Sequence, residues 1–183
     1  VSIEKNNITN TQRMGIYISD APKCYIGSNT IAKTSSHGMY VDQSNQSKVY
    51  NNKLSLCGKA GSTYGGIGIS ASNKSVVSKN TVNDAAKNGI FLYNGSKNCS
   101  ITNNTIARSS DNGISVNLQS DYAKISNNKI TGKLKSKQNN RGIFVYGANN
   151  ATISSNTIKD CQPKQEINTN NSIGSKVYKN KIS

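Results

Sequence analysis

The chain has a single histidine, His37, which lies three residues before Tyr40 in a stretch that could carry acid–base chemistry. β-Elimination from a uronic acid requires a cation at the carboxylate, a base for the C5 proton and an acid for the leaving oxygen. Arg13 or Lys59 could supply the cation. His37 could then act as the base and Tyr40 as the acid. These four residues are our catalytic candidates, although a lone histidine is more often an exposed turn residue.

Aromatic residues recur beside this group at positions that alternate with apolar ones. The large aromatic faces of these residues offer surfaces on which sugar rings can stack. Aromatic residues are also simply favoured in strands, which is the plainer explanation. Together with two residues of longer connections, the strip predicts a substrate-binding set: Tyr17, Asp42, Tyr64, Phe91, Tyr93, Arg141, Phe144 and Tyr146.

Two repeated motifs must position these side chains. Ile/Val-x-x-Asn-x-Ile/Val/Leu occurs eight times, and its asparagines are Asn6, Asn29, Asn52, Asn80, Asn104, Asn128, Asn156 and Asn180. Gly-apolar-x-apolar occurs six times between them, beginning at Gly15, Gly38, Gly66, Gly89, Gly113 and Gly142. A fixed period of this kind indicates a solenoid, and such short alternating runs are strands. We expect each glycine to supply a backbone angle at a bend.

The pattern predicts an all-β parallel solenoid of about eight coils, forming one domain over residues 1–183. Equivalent positions then stack at about 4.8 Å, and the asparagine amides form a ladder through the interior. Two coils are longer than the others, with insertions around residues 55–65 and 131–141 at the same corner. Insertions on one face commonly mark a binding face, which favours the aromatic strip as that face.

The charge of the chain indicates which classes of binding partner it favours. Lys and Arg number 23 against 8 Asp and Glu, a formal net charge of +15 that favours polyanions. The lysines are scattered, so a solubilising role is the plainer interpretation. The chain has no motif of the known nucleic-acid-binding modules and no apolar run long enough for a membrane span.

Cysteines that share a column are three or four coils apart, too far for disulfides, so all four are predicted to be free.

These motifs resemble the right-handed parallel β-helix superfamily, the pectate-lyase-like fold, over essentially the whole chain. The resemblance implies a right-handed helix and a protein that acts on or binds an acidic polysaccharide, with a polysaccharide lyase among the options. A non-catalytic, adhesin-like structural repeat is the alternative. The chain lacks the paired aspartates of polygalacturonases, the clustered calcium ligands of pectate lyases and the Asp-Pro-His-Glu signature of mannuronan epimerases. We therefore expect no metal and no cofactor.

Two further expectations concern context. The family resemblance implies a secreted or cell-surface protein of bacterial type. Both ends of the sequence lie within the repeat pattern without an atypical capping unit, which leads us to expect a fragment of a longer chain whose remainder is a partner of this segment.

Overall fold

The computed structural model describes residues 1–59, 65–132 and 140–183, and these form 23 short strands and no helix. In chain order the strands are β1 (Ser2–Glu4), β2 (Asn7–Thr9), β3 (Ile16–Ser19), β4 (Tyr25–Gly27), β5 (Thr30–Thr34), β6 (Met39–Asp42), β7 (Lys48–Tyr50), β8 (Lys53–Cys57), β9 (Ile67–Ser70), β10 (Val76–Ser78), β11 (Thr81–Asn83), β12 (Ile90–Tyr93), β13 (Ser100–Thr102), β14 (Thr105–Ala107), β15 (Asn112–Asn117), β16 (Lys124–Ser126), β17 (Lys129–Thr131), β18 (Arg141–Tyr146), β19 (Thr152–Ser154), β20 (Thr157–Lys159), β21 (Ile167–Asn168), β22 (Lys176–Tyr178) and β23 (Lys181–Ile182).

The strands stack into three parallel sheets, which confirms the predicted parallel β-solenoid. The first sheet begins with β1 and takes every third strand to β22, and the second runs from β2 to β23 in the same way. The third sheet has seven strands, from β3 to β21. The described chain therefore makes seven complete three-stranded coils and two strands of another, slightly fewer than the eight coils that the motif count predicts. The difference arises because the last asparagine motif is not followed by a third strand.

The asparagine ladder runs unbroken along the corner between the first and second sheets. Each side-chain amide donates to the side-chain oxygen of the next asparagine, as Asn80 does to Asn104 at 3.1 Å and Asn104 to Asn128 at 3.0 Å. The same oxygen accepts the backbone N–H of the preceding rung, as in the 2.9 Å bond from Asn80 to Asn104. The ladder thus satisfies backbone and amide groups that face the interior, where unpaired polar groups are costly.

Each ladder asparagine also stabilises a sharp corner in the chain. The residue before it adopts a left-handed backbone conformation in every coil, for example Lys79 with φ 56° and Asn103 with φ 58°. Non-glycine residues enter this region at an energetic cost. The amide of Asn104 bridges the corner by donating to the carbonyl of Thr102 at 3.2 Å. An asparagine therefore serves both the turn within its own coil and the contact with the next coil.

The explanation expected for the motif glycines is wrong. None of the six has a positive φ, so they supply no special backbone angle. A β-carbon at Gly113 would instead lie 2.5 Å from Cγ2 of Ile130 and 2.7 Å from the carbonyl oxygen of Gly142. Glycine is required because the second sheet and the next coil approach the backbone too closely for a side chain.

The core is a narrow column of Ile, Val and Leu side chains from all three sheets, with small residues at the corners. All four cysteines lie within it, and all are buried and free. Burial raises the pKa of the Cys57, Cys99 and Cys161 thiols to about 11. These cysteines act as small packing residues, as their spacing predicts.

Candidate functional site

The outward face of the third sheet carries the predicted aromatic strip in continuous register. Tyr17 pairs with Tyr40, Tyr40 with Gly68, and Gly68 with Phe91 on successive strands. The register continues through a serine to Phe144. Strand pairing therefore confirms the alignment of the strip, because each strand occupies the same position in its coil.

Most rings of the strip are not fully exposed. Tyr17 and Tyr146 are exposed, at 55% and 44%, whereas the other rings are half-buried. The reason lies at Gly68, where a β-carbon would be 2.5 Å from the Phe91 ring and 2.8 Å from the Tyr40 ring. Both rings lean over the glycine and shield each other from solvent.

His37 lies within this group of rings. Its side chain is only 6% exposed, and its centroid is 5.0 Å from the ring centroids of both Tyr40 and Phe91. The Gly65 N–H donates to Nδ1 at 3.1 Å, which leaves the ring proton on Nε2. Burial lowers the pKa of His37 to about 4, so the imidazole is neutral near pH 7.

Tyr40 is also engaged with its neighbours. Its hydroxyl forms a hydrogen bond with the hydroxyl of Tyr93, and its ring stacks against Tyr17 with centroids 5.9 Å apart. Burial is the largest cause that raises the pKa of Tyr40 above its usual value. We call His37, Tyr40, Phe91 and Tyr93 the ring block. Asp42, whose strand neighbours are Ser19 and Ser70, lies half-buried at its edge.

A pocket of about 610 Å³ adjoins the ring block at the first three coils. Three of the predicted residues meet here: Arg13 and Lys59, which are both exposed, and the ring of Tyr17. We call it the basic pocket. Its other lining residues are Gln12, Met14, Ser35 and Ser36. Tyr64, predicted to join this group, lies outside the described residues.

A second cluster lies farther along the same face. Phe144 stacks on Tyr146 at 5.9 Å, and the Arg141 guanidinium lies 4.5 Å from the centroid of the Phe144 ring. Arg141 Nε also donates to the side-chain oxygen of Gln165 at 3.2 Å. Five coil steps separate Phe144 from Tyr17, roughly 24 Å at the strand spacing. The predicted site residues therefore divide into two groups rather than forming one centre.

One packing rule links both groups. In each group a residue just before a motif glycine packs on the outward residue three positions later, as His37 does on Tyr40 and Arg141 on Phe144. Lys87 and Asp111 each lie two residues before a motif glycine, and the sequence interpretation missed the 3.0 Å ion pair that they form. Their common spacing of two residues before a motif glycine, shared with Arg13, was the available signal.

The described part of the chain has neither side chains grouped as metal ligands are nor a membrane-spanning helix. Across residues 1–59, 65–132 and 140–183, no group of three or more His, Cys, Asp or Glu side chains is placed to hold a metal ion. The same residues contain no helix long and apolar enough to cross a membrane.

Comparison with protein families decides the classification. A family model described as the right handed beta helix region matches residues 1–132 and 88–183, which together span the chain. The chain belongs to the right-handed β-helix family. This confirms the resemblance and the handedness expected from it. None of the curated proteins compared with the chain matches it.

Solved structures share the fold at low sequence identity. The periplasmic alginate epimerase AlgG superposes with a TM-score of 0.74 and 15% identity, covering 93% of this chain and 47% of that one. DFA-IIIase from Arthrobacter chlorophenolicus A6, in complex with GF2, superposes with a TM-score of 0.57 and 11% identity, covering 98% of this chain and 54% of that one. The chain thus spans about half the length of these structures.

Proposed function

We propose that this face of the β-helix binds an acidic polysaccharide and that the basic pocket holds a uronic acid carboxylate. The observation that carries the proposal is the meeting of Arg13, Lys59 and the exposed Tyr17 ring at one pocket. Arg can bind a carboxylate through two parallel hydrogen bonds, and Lys adds a second positive charge. Tyr17 offers its face to the sugar ring. None of the described lining residues is acidic, and the net charge of +15 attracts polyanions from a distance.

The proposal assigns binding rather than β-elimination to the described residues. A base must reach the proton that it removes, directly or through one water. His37 is buried behind two rings, and the Gly65 N–H occupies its Nδ1. The Tyr40 hydroxyl is bonded to that of Tyr93, and its raised pKa makes it a weaker acid. A lyase remains the alternative that the same experiment tests.

The structural neighbours support the carbohydrate part of this proposal. One is named as an alginate epimerase and the other was solved with GF2, and both share the β-helix with this chain. The first is also named as periplasmic. By analogy with that neighbour, we also propose that this protein acts outside the cytoplasm.

The experiment measures binding of alginate, pectate and a glycosaminoglycan by calorimetry, with neutral dextran as the reference. Arg13→Ala/Lys59→Ala should lower the affinity for the bound acidic glycan at least about tenfold. The matched control is Lys124→Ala/Lys176→Ala, which removes two exposed lysines from the first sheet and should change affinity little.

Equal losses of glycan affinity in the two double variants would contradict carboxylate binding in the basic pocket. Absence of binding by all three acidic glycans would favour the adhesin-like scaffold. Ultraviolet absorbance of each mixture is followed in parallel, because a lyase releases an unsaturated product. Growth of that absorbance would replace the binding proposal by the lyase.

A further inference from the structure

The outward face of the first sheet carries a compact group of two tyrosines and two lysines. Tyr25 lies on β4, Lys48 and Tyr50 lie on β7, and Lys79 follows β10. Nζ of Lys48 is 4.9 Å from the centroid of the Tyr50 ring and 5.8 Å from that of the Tyr25 ring. Nζ of Lys79 is 5.3 Å from the Tyr50 centroid and donates to the Tyr50 hydroxyl at 3.0 Å. We call these four residues the tyrosine–lysine cluster.

The positive charge of this cluster is not balanced by an acidic side chain. Across residues 1–59, 65–132 and 140–183, neither Lys48 nor Lys79 forms an ion pair. The acidic residue on the strands of the first sheet is Glu4, which lies two strands from Tyr50 and accepts a hydrogen bond from Ser2 at 2.6 Å. Two ammonium groups held beside one phenol repel each other, and a bound anion would relieve that repulsion.

Tyr50 adds a third hydrogen-bond donor between the two lysines. Its hydroxyl oxygen accepts a hydrogen bond from Lys79, so the hydroxyl proton is left for another acceptor. This bond with Lys79 lowers the pKa of Tyr50, which makes its O–H a stronger donor than that of an ordinary phenol. Each ammonium also has three N–H groups, which a contact with a ring does not use up. The cluster therefore presents three donors and two positive charges to solvent.

The ring of Tyr25 forms a fixed platform beside these donors. A β-carbon at Gly27, two residues later on the same strand, would lie 2.6 Å from both Cζ and the hydroxyl oxygen of Tyr25. The ring therefore lies along its strand and over the glycine. It is half-buried, so the side of the ring that faces away from the sheet remains accessible. An aromatic face of this kind offers an apolar surface on which a sugar ring can stack.

The numbers of donors and charges select the ligand. A phosphate monoester has three terminal acceptor oxygens and a charge of about −1.5 to −2 at pH 7, which matches three donors and two ammonium groups. A sulfate monoester has the same three oxygens and a single charge. A carboxylate has two oxygens, and a phosphate diester has two terminal oxygens and a single charge. Each of these last two would leave one donor of the cluster unused.

We propose that the tyrosine–lysine cluster is a second binding site, which takes a phosphate or sulfate monoester carried by a sugar. The two lysines and Tyr50 donate to the three terminal oxygens of the ester, and the sugar ring stacks on Tyr25. The basic pocket is lined from the third sheet and from connections between the second and third sheets. The site on the first sheet is therefore separate from it and goes beyond the proposed function.

The test follows tyrosine signals by NMR in protein labelled with carbon-13 at the ring Cζ atoms. Tyr25→Phe, Tyr50→Phe and Tyr17→Phe assign the three signals that matter, and glucose 6-phosphate and glucose 6-sulfate are titrated separately. The signals of Tyr25 and Tyr50 should shift and saturate with at least one ester, and the tighter ester identifies the group. Lys48→Gln/Lys79→Gln should weaken this binding about tenfold.

A second variant separates the sugar from its ester. Tyr25→Leu should weaken binding of glucose 6-phosphate about threefold and leave binding of inorganic phosphate unchanged, because it removes the platform and keeps all three donors. Thermal unfolding followed by circular dichroism verifies that each variant is folded.

The matched control is Lys124→Gln/Lys176→Gln. These two exposed lysines occupy the same outward position on their strands as Lys48 does on β7, and the double substitution changes the net charge equally. Affinity for the ester should stay within about twofold of the wild-type value, since charges this far along an exposed face are largely screened.

Several results would overturn the second site. One is equal weakening by the two double variants, since a diffuse positive field would then hold the anion. Another is binding of dimethyl phosphate or glucuronate at Tyr50 as tightly as either ester. Inorganic phosphate that binds as tightly as glucose 6-phosphate would overturn the role of the sugar ring. If neither ester shifts the Tyr50 signal, the second site is wrong, whereas glycan binding in the basic pocket, which Tyr17 reports, would be unaffected.

Discussion

Replacing Asn104 by alanine should destabilise the protein more than any exposed substitution. The Asn104 side-chain oxygen accepts the Asn80 backbone N–H at 2.9 Å and its Nδ2 at 3.1 Å. Nδ2 of Asn80 keeps other acceptors, the carbonyls of Val49 and Ser78, but its backbone N–H loses the ladder acceptor. One orphaned buried donor costs about 2 kcal/mol and a lost side-chain bond about 1 kcal/mol more, giving roughly 3 kcal/mol.

Thermal unfolding followed by circular dichroism measures this effect. For a chain of this size, 3 kcal/mol corresponds to a decrease in Tm of roughly 6–12 °C. Lys129→Ala is the control, because Lys129 points outward beside the ladder and should change stability by less than about 0.5 kcal/mol. Asn6→Ala should cost about 1 kcal/mol, since the Asn6 side-chain oxygen accepts no ladder bond in the described chain. Equal Tm values for Asn104→Ala and Lys129→Ala would refute the account of the ladder.

Three further predictions concern buried groups. The pKa of His37 is about 4 in the folded protein and 6.5 for an ordinary solvent-exposed histidine. The unfolded chain therefore binds the extra proton, and stability should fall as pH drops from 6.5 to 4. Chemical denaturation at pH 6.5 and pH 4 should show that the decrease in unfolding free energy is about 3 kcal/mol smaller in His37→Gln than in the wild-type protein. Identical pH profiles of the two proteins would argue against a buried neutral ring. Thiol titration should find four free cysteines after denaturation and almost none before, whereas recovery of two would reveal a disulfide. Gly113→Ala should cost about 1–3 kcal/mol through overpacking, and an unchanged Tm would contradict the close contacts at this glycine.

The fold could be predicted from the sequence because every coil repeats the same constraint. A buried asparagine, an apolar pair and a glycine recur at fixed spacing, so their columns follow from counting. The reason for the glycines could not be obtained this way. The space at Gly113 is set by Ile130 and by the next coil, and such contacts depend on three-dimensional approach rather than on position in the repeat.

The candidate site could be predicted where its residues occupy equivalent positions in successive coils. Arg13, Tyr17 and Lys59 line one pocket because the coil spacing places them at the same corner. The burial of His37 was not predictable, since it depends on two rings leaning over Gly68.

The salt dependence of binding tests the central claim most directly. Affinity for the acidic glycan that binds best should be measured by calorimetry between about 50 mM and 500 mM NaCl, a range over which the Debye length falls severalfold. The wild-type protein should bind more weakly as salt rises, and Arg13→Ala/Lys59→Ala should show a clearly shallower dependence than Lys124→Ala/Lys176→Ala. A dependence equally steep in both double variants, or affinity unaffected by salt in the wild-type protein, would contradict binding of a carboxylate in the basic pocket.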